Sequence, residues 1–173
     1  MKRKLNLAYG SNIGDQLLSR CPGAKFVGTT VLEDWELLFA AQEHHEFGVA
    51  TIQPCPGSSV PVSIWELTPE HERILDRYEG VDQVYYKKTF SVEIDGKLEE
   101  AFAYIMTGGE KCLPNHYYYT TIISGYIQRG FNLAILTEAV RKSCVVLPER
   151  DASECVSDST NDFGMRKCEK GIV

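Results

Sequence analysis

Apolar and polar positions alternate through most of the first two-thirds of the chain, and the last third changes to a helical period. Residues 4–9 read as a strand, and IGDQLLSR at 13–20 reads as a short helix ended by Cys21-Pro22-Gly23. Residues 24–40 alternate well enough for one long strand or two short ones. Residues 47–54 and 60–67 give two more strands, separated by the turn-rich CPGSS at 55–59. Thr68 then caps a helix over 69–78, with Pro69 at its first position and Glu70 and Glu72 at the positive end of its dipole. Ile74, Leu75 and Tyr78 form its apolar face, and Gly80 stops it.

Residues 84–107 form a hairpin whose two arms alternate about Asp95-Gly96, a dipeptide suited to a tight turn. Two helices follow, one capped at Asn115 and one over about 133–145. Antiparallel strands first and helices later imply an α+β fold, a small mixed or antiparallel β-barrel with helices packed around it. The patterned region gives one domain over 1–147. Residues 148–173 are expected to form a polar, weakly patterned tail, packed on the domain or mobile.

At 173 residues the chain can bury roughly two-thirds of its unfolded surface. A composition of 43% hydrophobic and 24% charged residues excludes a fibre or a disordered chain. The net charge of −6 argues against non-specific binding to nucleic acid or to an anionic membrane. No apolar run reaches about 18 residues, and the basic MKRK start is not followed by enough apolar sequence for a secretory leader. A cytoplasmic location is expected on these grounds. No two of the six cysteines have CxxC spacing, so reduced thiols are expected rather than a zinc site or redox motif.

Tyr9-Gly10-Ser11-Asn12 stands where the first strand meets the first helix. Two readings fit: a capped helix start, or a loop whose free backbone N–H groups hold a carboxylate or phosphate. No GxSxG surrounds Ser11, which is therefore not expected to be a nucleophile. Glu79 ends the 69–78 helix at its negative pole, between Tyr78 and Gly80. A buried carboxyl there would hold its proton to higher pH, which suits a general acid/base; an exposed one would be an ordinary helix-end residue. Of Tyr117, Tyr118 and Tyr119, successive positions on a helix, only one or two can face the core. The adjacent histidines of Glu43-His44-His45-Glu46 diverge, so no metal site is expected there.

These features together resemble the γ-glutamylcyclotransferase-like family, which includes γ-glutamylamine cyclotransferases and AIG2-like proteins. The resemblance rests on Tyr9-Gly10-Ser11-Asn12, on Leu75-Asp76-Arg77-Tyr78-Glu79-Gly80-Val81, on Tyr85-Tyr86, and on Tyr118, Gly125 and Gly130. It spans about residues 4–132 and implies the family's small barrel. The implied reaction is attack of a γ-glutamyl α-amine on its own γ-carbonyl, releasing 5-oxoproline and an amine or amino acid. The resemblance makes Glu79 the general acid/base and gives substrate binding to Tyr9, Gly10, Ser11, Asn12, Tyr85, Tyr86 and Tyr118. Strand alternation sends Tyr85 and Tyr86 to opposite faces, so either can line the pocket. No metal, nucleotide or other cofactor is implied; the partner is a small γ-glutamyl substrate, and the protein a monomer or homodimer. The alternative on the same fold is a non-catalytic small-molecule-binding or sensor module.

Overall fold

β1 (Lys4–Ala8) lies in the middle of the sheet, paired antiparallel with β3 (Val49–Leu67) and parallel with β5 (Lys97–Met106). The computed structural model describes residues 3–43 and 45–144; His44, the tail at 148–173, Cys155 and Cys168 lie outside them. Six strands run in the order β4-β5-β1-β3-β2-β6 and curl into a half-barrel of mixed α+β architecture. β2 is Lys25–Ala41, β4 Tyr85–Ile94 and β6 Glu110–Lys111; the helices are α1 (Gln16–Arg20), α2 (Pro69–Glu79), α3 (His116–Arg129) and α4 (Ala134–Ser143).

Of the two readings of 24–40, the single long strand is the one present, as β2, whereas the two strands expected on either side of CPGSS are one, β3. Glu33 pairs with Ser59 and Trp35 with Pro54, so four residues of β3 loop out opposite Asp34. Asp34 takes φ 62°, and its carboxylate accepts the Gly57 N–H at 2.8 Å, which sharpens the bend without breaking the ladder. The turn chemistry is real, but a side chain of the facing strand absorbs it.

Strand alternation gives the sheet two buried faces. Leu7, Tyr9, Ile64, Ala103 and Ile105 point toward Ile122 and Tyr126 of α3 and Leu136 of α4. Ala8, Trp65, Leu67, Phe102 and Tyr104 point the other way, toward Leu17 of α1 and Leu75 of α2. Thr68 caps α2 through a reciprocal pair: its hydroxyl accepts the His71 N–H, and His71 Nδ1 accepts the Thr68 N–H. Gly80 closes the helix in the left-handed conformation, with φ 61°. From the sheet, the Tyr104 hydroxyl donates to Asp76 at 2.7 Å, while Lys87 Nζ bonds Asp76 at 2.7 Å and Glu72 at 2.6 Å. This network pins α2 and sets where its last residue falls.

Candidate active site

The helix after β1 begins at Gln16 rather than at residue 13. Residues 10–13 instead make a turn closed by the Ile13 N–H on the Gly10 carbonyl at 3.0 Å. The dipole of the five-residue α1 is therefore not aimed from residue 13, as a helix starting there would have been. The free donors remain: among the described residues none accepts from the N–H of Gly10, Ser11 or Asn12. These three residues line a narrow cavity of about 40 Å³ together with Tyr9, Ala50, Glu79, Tyr85, Tyr104 and Tyr118. A wider space of about 260 Å³ adjoins it, with Phe47, Val49, Val84 and Met106 on its walls. Ser11, Glu79, Tyr85 and Tyr118 belong to both, and so stand at the junction.

Gly10 is demanded by crowding. A Cβ there would come within 3.1 Å of the Ala50 Cβ and 3.4 Å of the Tyr118 hydroxyl. Gly125 does the same work beneath the loop. It lets α3 meet Gly14 backbone to backbone, and a Cβ there would lie 2.3 Å from Ile13 Cγ2. Loop and helix are in this way seated against each other without intervening side chains.

Glu79 is the last residue of α2, and its Oε1 accepts from Asn12 Nδ2 at 3.1 Å. Burial pushes the carboxyl up to about 7, while the nearby Arg20 guanidinium and the Asn12 bond pull it back down. The group therefore exchanges its proton close to neutrality. Arg20 Nη1 donates to Asn12 Oδ1 at 2.7 Å and Nη2 to the Tyr78 hydroxyl at 2.7 Å.

The tyrosines differ in what their hydroxyl protons are doing. Tyr9 donates to the Tyr104 carbonyl, and Tyr85 to the Ala50 carbonyl at 3.2 Å. Tyr118 is on the receiving side, accepting the Ala50 N–H at 3.1 Å, so its own proton is free for the cavity. Burial, with the Glu79 charge as a lesser cause, raises Tyr9 and Tyr118 far above the ordinary phenol range and keeps both protonated. Tyr85 is buried at the junction; Tyr86 is 43% exposed on the opposite face, and the structure does not bring it to the cavity. Tyr117 is 81% exposed, and Tyr119 packs edge-on against Phe39.

Glu79, the loop, Tyr9, Tyr85 and Tyr118, all expected from sequence, meet in this cavity. Ala50 and Tyr104, which no sequence signal marked, line it too, and Arg20, equally unmarked, bonds Asn12 beside it. Ala50 carries no chemical signal in its side chain, since its backbone does the work. Among the described residues no group of three or more His, Cys, Asp or Glu could hold a metal ion, and no helix is long and apolar enough to cross a membrane.

A family model described as gamma-glutamyl cyclotransferase, AIG2-like, matches residues 7–121, from near the end of β1 into α3. The chain belongs to this family. A solved structure named gamma-glutamyl cyclotransferase is 28% identical, with a TM-score of 0.69 over 91% of this chain and 95% of that one. A structure of an uncharacterized protein from Homo sapiens is also 28% identical, with a TM-score of 0.68 over the same shares of the two chains. YkqA from Bacillus subtilis shares the fold at 17% identity, with a TM-score of 0.66 over 83% of this chain and 55% of that one. No curated protein matches the sequence. Family and fold are thus those of γ-glutamyl cyclotransferases, and the matched span contains the loop, Glu79, Tyr85 and Tyr118.

Proposed function

We propose that the protein is a γ-glutamyl cyclotransferase that closes a γ-glutamyl group on itself and releases 5-oxoproline. One observation carries this reading: a carboxyl held near neutrality shares a cavity with a tyrosine O–H and with three backbone N–H groups that no acceptor among the described residues meets. In this reading the narrow lobe takes the head of the γ-glutamyl group, and the wide lobe takes the departing amine. The reacting carbonyl then lies at the junction.

The steps balance with one carboxyl. Glu79 as carboxylate takes a proton from the substrate's α-ammonium, and the freed amine attacks the γ-carbonyl carbon. A C–N bond forms, and the carbonyl electron pair moves to oxygen, where N–H donors of the loop or the Tyr118 hydroxyl can stabilise it. The oxyanion then re-forms the carbonyl, and the bond to the leaving nitrogen breaks as Glu79 returns its proton to that nitrogen. Glu79 next takes the second proton of the ring nitrogen, leaving the neutral lactam, and passes it to the departing amine, which leaves as an ammonium ion. Orientation supplies up to about 7–11 kcal/mol in well-aligned intramolecular reactions. Proton transfer by the carboxyl adds about 10²–10⁴-fold.

The test is release of 5-oxoproline from a panel of γ-glutamyl amines, amino acids and peptides by wild type and Glu79→Gln. Activity in wild type that is lost in the variant supports the assignment. Wild type inactive on the whole panel, or Glu79→Gln at full rate, overturns it.

A further inference from the structure

We propose that Arg20 is a positioning residue: by fixing the Asn12 amide it commits Glu79 Oε1 to a hydrogen bond and leaves Oε2 to carry the reacting proton. The role rests on Glu79 being the reacting carboxyl, as proposed above. A guanidinium can only donate, so the amide atom that meets Arg20 Nη1 at 2.7 Å must be the oxygen of Asn12. The NH₂ of the same amide is then turned toward Glu79, where it donates to Oε1 at 3.1 Å. An oxygen facing an N–H donor cannot hold a proton on that side. No donor among the described residues meets Oε2, so the proton that Glu79 takes from the α-ammonium and returns to the leaving nitrogen is assigned to Oε2.

Arg20 is itself held from two sides. Its Nη2 donates to the Tyr78 hydroxyl at 2.7 Å, and its guanidinium carbon lies 4.1 Å from the Tyr78 ring centroid. Tyr78 precedes Glu79 on α2, so the arrangement ties the last residue of α1 to the last turn of α2 across the reacting carboxyl. A lysine would offer one mobile ammonium where Arg20 offers a planar fork. Arg20 is also the cation acting on Glu79; the other ionisable groups facing the carboxyl are Tyr9 from the loop after β1, Tyr85 from β4, Tyr104 from β5 and Tyr118 from α3. None of these supplies positive charge.

The experiment follows the Glu79 carboxyl directly, by ¹³C NMR titration of protein labelled at glutamate Cδ, with its signal identified by its absence in E79Q. R20M removes both the donors and the charge; R20Q removes the charge but keeps a donor for Asn12. The Glu79 midpoint is expected to rise by about 1 in pH in R20M and by less in R20Q, as for loss of a neighbouring opposite charge. On an active γ-glutamyl substrate, kcat should fall about 10–100-fold in R20M with KM within about threefold, R20Q lying between R20M and wild type. A midpoint unchanged or lowered in whichever of the two variants folds overturns the proposal. If wild type releases no 5-oxoproline from any substrate, the functional reading falls while the titration still decides whether Arg20 governs Glu79.

Discussion

Replacing Glu79 by Gln is expected to stabilise the protein above neutral pH in the same step that removes its activity. Burial raises the native carboxyl from 4.5 to about 7, whereas in the unfolded chain it is solvated and ordinary. Between these two values the native state holds a proton that the unfolded state has released. Stability must then fall as pH rises through that window and flatten above it. At about 1.4 kcal/mol per pKa unit the gap is worth about 3 kcal/mol. The side chain is half-buried, open to the cavity, so solvent screening reduces this to about 1–2 kcal/mol between pH 5.5 and 8.5. Gln has no charge to bury and can still accept from Asn12, so the variant lacks this slope. Urea unfolding of both proteins at about pH 5.5 and about pH 8.5 gives the double difference, in which the other titrating groups cancel. The gap should widen in favour of Gln by about 1–2 kcal/mol on going to the higher pH. A gap that does not change with pH, or that moves toward wild type, would refute the claim that the fold holds this carboxyl against its own stability.

Three further outcomes are expected. If Glu79 is the general base proposed above, kcat/KM of wild type should fall on the acid side with a midpoint near 7, since only the ionised carboxyl accepts a proton, and this limb should be read from a pH–rate profile. Tyr118→Phe removes the acceptor of the Ala50 N–H and the cavity's free hydroxyl proton. It should cost about 1–3 kcal/mol in urea unfolding and, if that hydroxyl stabilises the developing oxyanion, about 10²–10³-fold in kcat; loss of stability with kcat unchanged would remove the residue from the chemistry. Gly125→Ala would set a methyl 2.3 Å from the buried Ile13 Cγ2. So close an approach puts overpacking at about 2–3 kcal/mol, which exceeds the roughly 1 kcal/mol that Ala gains over Gly in a helix, so the thermal midpoint should drop by about 2–8 °C. A midpoint at or above that of wild type would mean that α3 moves away from the loop freely.

The elements that could be read from sequence carry their signals locally. α2 announces both ends, with Thr68-Pro69 at one and Gly80 at the other, and the β4–β5 hairpin turns at Asp95-Gly96, where both residues take positive φ. What could not be read depends on distant partners. CPGSS looks like a turn until Asp34, more than twenty residues away, supplies the carboxylate that holds Gly57 within the strand. Alternation stated that Tyr85 and Tyr86 part company, but the side that is buried depends on the β4–β5 pairing and on α2 above it. Arg20 acts through Asn12, eight residues back, and Tyr78, 58 residues ahead, so no local pattern marks it. Glu79 itself was ambiguous in isolation, because a carboxylate at a helix C-terminus is unfavourable whether or not it has a purpose.

That unfavourable position explains why the supports around Glu79 come from so many elements. The carboxyl sits at the negative pole of α2 and is partly withdrawn from water, both of which oppose its charge. Left to itself a helix end would fray or turn the group to solvent. Here Tyr104, Asp76, Lys87 and Glu72 anchor the helix to the sheet, Asn12 and Arg20 hold the side chain, and Gly14 against Gly125 seats the loop that carries Asn12. Each of these contacts fixes geometry and none neutralises Glu79 by direct ion pairing. A salt bridge straight onto the carboxyl would hold it as firmly, but would pull its proton affinity back toward that of an exposed glutamate. Placing the cation one amide away keeps the orientation and preserves most of the rise toward neutrality, which is the property a shuttling acid/base needs.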